Sequence, residues 1–566
     1  MIARKIARLR IGLKNAHPLL FVLAPVLTVY SLNTSDLVPL DCVRPALLLL
    51  AVLLALAPLV YRLAARGVER TAWVLSLAAI LFFCGQQYRF VVDGGIGGSF
   101  WLVDMATGSV PATSPLGDAR EAVIITLWLV ILFFAGRTLL RTRRDPTAVF
   151  WIAGVALVVP AIYRVADAQA THRSAVAEAI AMNARIAPQR KTASAPDLYV
   201  IVLDAYARQD VLHDIYGVDN EPFLSALEKR GFTVARKSRA NYPHTVLALT
   251  AALNLDYLPS DVPGGNRVSL QPRIDHNRIA ALLRARGFRF VSIPTGFGLT
   301  AAPSADLLLD APKKAPPRIP PFPTPLESLL LQNTPFAFHN QPLRQGFDDH
   351  RARILAAFAH LPDAAALPYP KFVFAHILVP HPPFVFDADG KPVQPEGQST
   401  FGLGDASNYH GTRAMYRRGY AFQIGFVNRE TLAALDAMRR ASKRPSVIVV
   451  MGDHGARSHT DWSSLARTDV HEAFSNLFSV SLPPGDAVGA ASVRARLSGT
   501  VTPITGLRAV MDVYYGAGLP DLPDRSFYSS LAKPLKFEEV TNELTAAERC
   551  ETTSTTPRSI PNADRH

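Results

Sequence analysis

The chain has 566 residues, 49% of them hydrophobic and 19% charged, with a formal net charge of +13. That length predicts at least two units rather than one core, and a mean hydropathy of +0.15 is unusual for a water-soluble protein of this size. The charge does not imply a nucleic-acid partner, because about a dozen of the basic residues flank apolar runs, where they act as topology determinants.

Taken in chain order, five apolar runs predict membrane spans: His17–Leu32 (interrupted by Pro25), Pro45–Tyr61, Ala72–Gln87, Glu121–Gly136 and Thr147–Ala166. A span needs about 17–25 mostly apolar residues, so several sit near the lower limit. Arg4, Lys5, Arg8, Arg10 and Lys14 precede the first run. Arg62, Arg66 and Arg70 separate the second from the third, and Arg137, Arg141, Arg143 and Arg144 the fourth from the fifth. The other loops hold only Arg44, Arg89 and Arg120, among Asp36, Asp41, Asp93, Asp104 and Asp118. This alternation places the N terminus inside and the C-terminal part outside a multi-pass inner (plasma) membrane protein, with an extracytoplasmic, periplasmic domain. No A-x-A-like site follows the first run, so no cleavable signal peptide is expected. Cys84 falls within a span, whereas Cys42 and Cys550 face outside; whether those two pair is not readable from sequence.

The expected division is residues 1–166 as the transmembrane unit, 167–195 as a helical or mixed linker, 196–530 as the catalytic domain and 531–566 as a tail. The domain opens on Asp197–Asp204 (DLYVIVLD), a continuous β-branched run that reads as a strand buried on both faces of a parallel sheet. Similar runs recur at Arg289–Ile293, Lys371–His376, Ser446–Met451 and Leu477–Leu482. Helical patterns at Glu221–Arg230, Arg278–Arg286, Ala352–Ala359 and Thr412–Arg440 lie between them, which predicts an α/β fold with a largely parallel central sheet. Proline density over 311–325 (APKKAPPRIPPFPTP) predicts an extended insertion.

In such sheets ligands bind beyond the carboxyl ends of the strands. Asp204 ends the first strand, and Asp453 and His454 follow the Ser446–Met451 strand in VIVVMGDHGARS. Two carboxylates and an imidazole suit one divalent ion, Mn, Zn or Mg. Gly452 and Gly455 would let the chain turn sharply enough to present both side chains.

The segments Pro196–Asp204 (PDLYVIVLD), Asn241–Asn254 (NYPHTVLALTAALN), His376–Phe384 (HILVPHPPF) and Val449–Gly455 (VVMGDHG) resemble those of the alkaline phosphatase/sulfatase superfamily. With their helices they cover nearly all of about 196–530. The anchor with a large outside domain, and the late segment Thr502–Tyr528, look like the branch that contains lipoteichoic acid synthases and phosphoethanolamine transferases. The resemblance implies an alkaline-phosphatase-like domain in which Asp204, Thr245, Asp453 and His454 hold one metal and Thr245 is the nucleophile. Another register puts Asn241 in the nucleophile position, where its amide cannot act. His381 takes the place of a histidine near the transferred group, and His376, Arg208 and His244 are candidates to meet the substrate phosphate. No Cys-x-Pro-x-Arg motif of sulfatases is present, nor an Asp with a His four residues on that would mark a second ion. The implied function is transfer of a phospho-headgroup from a membrane lipid to an envelope glycan or lipid through a phospho-threonine. A phosphodiesterase or sulfuric ester hydrolase, and a non-catalytic membrane scaffold or sensor, remain as alternatives.

Overall fold

The computed structural model describes residues 13–33, 39–63, 67–85, 87–88, 115–184, 186, 195–262, 265–310, 324–336, 341–395, 402–409 and 411–546. The chain forms two units, Met1–Ala170 with Pro316–Pro342, and Thr171–Ala315 with Leu343–His566. The basic N-terminal stretch before residue 13, most of the proline-rich run and Cys550 lie outside the described residues.

The first unit contains α1 (His17–Leu32), α2 (Val43–Leu63), α3 (Val68–Phe82), α4 (Pro115–Arg141) and α5 (Thr147–Asn183), one for each expected span. Three stretches, Leu40–Leu63, Ala122–Arg141 and Thr147–Asn183, are long and apolar enough to cross a membrane. The helices α1 and α3 have 16 and 15 residues, short of a full span. On α2, Leu47, Leu54 and Leu59 are exposed, and on α5 so are Val149, Ile152 and Ile162, an apolar surface that suits lipid rather than water. The ammonium of Lys14 lies 2.9 Å from Glu69 and 3.0 Å from Asp145, which joins three segments that the charge alternation puts on one side. From the other expected side, Arg44 makes a two-pronged pair with Glu327, its Nε 2.7 Å from Oε1.

Glu327 sits on a helix, Pro325–Gln332, that begins where the expected insertion over 311–325 ends. Thr324 and Glu327 form a reciprocal capping box at its start, and Leu326 and Leu330 bury themselves against Val26 and Tyr30 of α1. This segment of the expected catalytic domain therefore belongs to the first unit.

The second unit is built on a seven-stranded sheet in the order β2-β7-β6-β1-β5-β3-β4. The strands are β1 (Asp197–Leu203), β2 (Phe232–Val234), β3 (Arg289–Ile293), β4 (Leu307–Leu308), β5 (Lys371–Ile377), β6 (Ser446–Met451) and β7 (Phe478–Ser481). The neighbours from β6 through β1, β5 and β3 to β4 run parallel, whereas β7 is antiparallel to both β6 and β2. All seven residues of β1 are buried, as a strand covered on both faces requires. Val200 and Val202 enter one core with Val246 and Leu249 of α6 (Thr245–Asn254). Tyr199, Ile201 and Leu203 enter the other, with α7 (Gln341–Ala366) and α8 (Arg413–Ala441).

One boundary differs from expectation. The expected linker opens as helix, since α5 continues unbroken to Asn183, and Asn183 donates 2.6 Å to the carbonyl of His276. The expected tail holds β9 (Lys533–Glu539), paired with β8 (Phe527–Ser530), and Val540 and Leu544 pack on Phe474. Its charged, alternating sequence KPLKFEE is that of a two-stranded ribbon with one wet face.

At the amino end of β1, Asp197 is fully buried and accepts from Lys371 Nζ at 2.5 Å and Arg444 Nε at 3.0 Å. Removing this carboxylate strands a buried ammonium. Asp197→Ala is expected to cost about 3–5 kcal/mol, read as a lowered midpoint in denaturant unfolding of the detergent-solubilised chain; an unchanged midpoint would refute it.

Candidate metal centre

Strand register determines which side chains meet. Val202 of β1 stands opposite His376 of β5 and opposite Met451 of β6, so these three share one face. Asp204 and Asp453 each follow two residues later, and a period of two returns them to that face. The carboxyl ends of the three central strands thus gather Asp204, His376 and Asp453, with donor atoms within 4.8 Å of one another and every residue buried. The helix α6 packs on the same face and brings Thr245, its first residue, to the cluster.

His454 stands at the centre. Its Nδ1 lies 2.8 Å from the carbonyl oxygen of Gly455, which only accepts, so Nδ1 carries the proton and Nε2 presents a lone pair. Around Nε2 are Thr245 Oγ1 at 3.0 Å, Asp453 Oδ2 at 3.1 Å, Asp204 Oδ1 at 3.4 Å and Arg457 Nη2 at 2.7 Å. The two carboxylate oxygens are buried and receive no hydrogen bond. Lone pairs and negative oxygens crowded in a dry site repel one another, and a divalent cation is the group that reverses the sign. The donor set of carboxylate, imidazole and hydroxyl fits such an ion.

The glycines serve space rather than unusual dihedrals. Neither has a positive φ; a Cβ on Gly452 would strike the carbonyl of Tyr206, and one on Gly455 that of Glu472.

The other expected residues divide. His376 joins the carboxylates directly, its Nε2 3.1 Å from Asp204 Oδ2 and its Nδ1 3.1 Å from Thr300 Oγ1. His381 is anchored by its amide to the carbonyl of Asp204 at 3.1 Å, and its Nε2 lies 3.5 Å from Asp405. Asn241 instead donates to the carbonyl of Arg525 and accepts from the amide of Ile504, a structural position. Arg208 directs its guanidinium to Asp210 at 2.6 Å and the Ser238 carbonyl at 3.0 Å. His244 stacks on Trp462 with centroids 4.3 Å apart and bonds the Ser529 carbonyl, and burial pushes its pKa down to about 3. Both thus hold loops together.

Two site residues were missed. Arg457 is 3% exposed and reaches the Pro243 carbonyl, His454 and Asp405. Asp405 lies 2.8 Å from Arg457 Nε and accepts from Tyr416 at 2.8 Å. Burial alone would raise its pKa, but the charges of Arg457 and His381 overcome that and keep it ionised. Arg457, three residues past His454 in the same loop, carries a spacing signal. Asp405 carries none.

No family profile matches the chain. A search of curated proteins found no match either. Among solved structures, the chain is similar to the zinc-complexed C-terminal periplasmic domain of EptC from Escherichia coli, at 11% identity and a TM-score of 0.40, over 62% of this chain and 94% of that one. The integral membrane lipooligosaccharide phosphoethanolamine transferase A from Neisseria meningitidis matches at 12% and 0.35, over 86% and 95%. The lipoteichoic acid synthase LtaP from Listeria monocytogenes matches at 11% and 0.35, over 57% and 73%. At such identities and scores these are likenesses of outline only.

One buried histidine near the cluster yields a pH effect. His350 on α7 is 3% exposed, and burial, with the charges of His381, Arg353 and Arg351, pushes its pKa from 6.5 down to about 3 against the pull of Asp204. It is neutral when folded, whereas the unfolded chain takes up its proton below 6.5. Its contribution to stability is therefore complete above about pH 6.5 and is lost as pH falls towards 3, about 2 kcal/mol by pH 5. His350→Phe is expected to flatten that part of the stability–pH profile, and an equally steep profile in the variant would contradict this.

Proposed function

We propose that this protein is a membrane-anchored, metal-dependent phosphotransferase of the alkaline phosphatase/sulfatase type, acting at the outer face of an inner membrane crossed by five spans. The observation that carries this reading is the gathering of His454 Nε2, the Thr245 hydroxyl and two carboxylate oxygens that receive no hydrogen bond, all within 3.4 Å of that nitrogen. Asp204, Asp453, His454 and Thr245 would hold the ion, with His376 beside them. When bound, a divalent cation lowers the pKa of a hydroxyl and neutralises phosphoryl oxygens.

The chain's own groups account for the remaining steps. Thr245 opens a helix whose N-terminus has no side-chain cap hydrogen bond, so first-turn amides and the helix dipole favour an incoming phosphate. Its Oγ1, its proton first lost to water, attacks the phosphorus of a phospholipid headgroup; the new Thr–O–P bond forms as the bond to the lipid alkoxide breaks. Arg457, fixed by Asp405 and the Pro243 carbonyl, supplies positive charge where the transferred oxygens become more negative. His381, tied to Asp405, is the acid that protonates the alkoxide. In the second half the same imidazole takes the proton of an acceptor hydroxyl, which attacks phosphorus and releases Thr245. The donor is a membrane lipid and the acceptor an envelope glycan or lipid.

Intact-mass analysis after incubation with total membrane lipid and a divalent metal tests the covalent step. A headgroup-phosphate adduct is expected on the Thr245 peptide, absent from Thr245→Ala and after chelation. Lipid turnover without an adduct would sink the ping-pong scheme. Arg457→Gln is expected to lower kcat about 10²–10³-fold while metal content stays constant; an unchanged kcat would remove Arg457 from the reaction.

A further inference from the structure

A cavity of about 260 Å³ lies against the catalytic network, lined by residues that the reaction scheme does not use. We propose that it is the acceptor subsite and that it is built for a phosphorylated monosaccharide. The assignment of an acceptor rests on the transfer reaction proposed above; binding to the cavity does not.

Four observations point to that ligand. The volume falls just below the range of about 300–1,000 Å³ for ligand pockets, which admits one sugar ring and excludes a lipid chain. Arg413, in the wall, is exposed and has no carboxylate partner among the described residues, so a guanidinium is available to a phosphate. The one carboxylate in the wall, Asp461, is already neutralised by Arg467 at 2.7 Å. Finally, Thr460 is 4% exposed and its hydroxyl has no hydrogen-bond partner. An unmet buried hydroxyl is costly unless a ligand completes it.

The wall also suits a ring bearing hydroxyls. Tyr409 and Tyr416 lie edge to face with centroids 5.1 Å apart and offer flat apolar surface. Ser458 donates to Glu472 at 2.5 Å and meets His459 Nδ1 at 3.0 Å, which leaves one lone pair for a sugar hydroxyl. The cavity is coupled to the reacting atoms by side chains alone. Tyr416 donates to Asp405, Asp405 holds Arg457, and Arg457 and Thr245 both meet Nε2 of His454. Occupancy would therefore be felt at the nucleophile.

Titration calorimetry on the full-length Thr245→Ala chain in detergent, which cannot turn over, tests the cavity directly. Glucose 6-phosphate is expected to bind at least tenfold more tightly than glucose or inorganic phosphate. Its decyl glycoside is the second arm: tighter binding of that probe assigns the sugar phosphate to a lipid carrier, and equal binding to a free one, and either supports the site. Arg413→Gln, a surface change, is expected to weaken binding tenfold or more, and Thr460→Val several-fold. No measurable binding, equal affinity for inorganic phosphate, or unchanged affinity in both variants would overturn the proposal. Binding without a Thr245 adduct in the wild type would overturn the transfer scheme and leave the cavity standing; an adduct without binding would do the reverse.

Discussion

Everything in the second unit converges on one unfavourable arrangement, a lone pair and two unsatisfied carboxylate oxygens pressed together in a dry place. No fold gains stability from that by itself. Its neighbours limit the damage: Asp453 accepts from the amide of Ala205 at 3.0 Å through its other oxygen, and Asp204 meets His376 through its own. The residual repulsion is what gives the site affinity for a cation, because a group that neutralises both carboxylates gains the energy which folding left uncollected. The sheet makes this tolerable. Three buried parallel strands fix the backbone so firmly that the side chains at their ends cannot turn away.

The ring outside that cluster is organised by a second charge, Arg457. A guanidinium 3% exposed needs an anion, and Asp405 supplies it from a different loop, while Tyr416 and Trp462 hold Asp405 from further out. The stacking of His244 on Trp462, with Arg457 over the same indole at 5.0 Å, closes the circle around the start of α6.

The parts of this that sequence reveals are those in which chemistry directly follows periodicity. The strands ending in Asp204 and preceding Asp453 are unbroken apolar runs, and the residue after such a run must lie at a sheet edge, so both were legible. Thr245 was reached only through the resemblance of the segment it heads, TVLALTAALN, to a known family. Asp405 was not legible, since GLGDASNYH has no period and its partner Arg457 is supplied only by folding. The helix at Pro325–Gln332 starts just where the proline-rich run ends, and its Thr-Pro-Leu-Glu capping signal was not taken up. Likewise β9 escaped because short ribbon strands with alternating charge resemble a solvated tail.

The first unit adds a constraint that bears on topology rather than on chemistry. Lys14 links the segments before α1, α3 and α5, and each of those segments was assigned inside from arginine and lysine counts alone. Arg44 and Glu327 provide the corresponding link for the opposite side. Glu327 is 3% exposed and its pKa falls below the usual value: burial opposes ionisation, but Arg44 and the Thr324 amide outweigh it. A charge pair so shielded fixes register more than it adds stability. The segment that carries Glu327 leaves the α/β unit and returns to it, so the helical unit is assembled from two stretches of the chain.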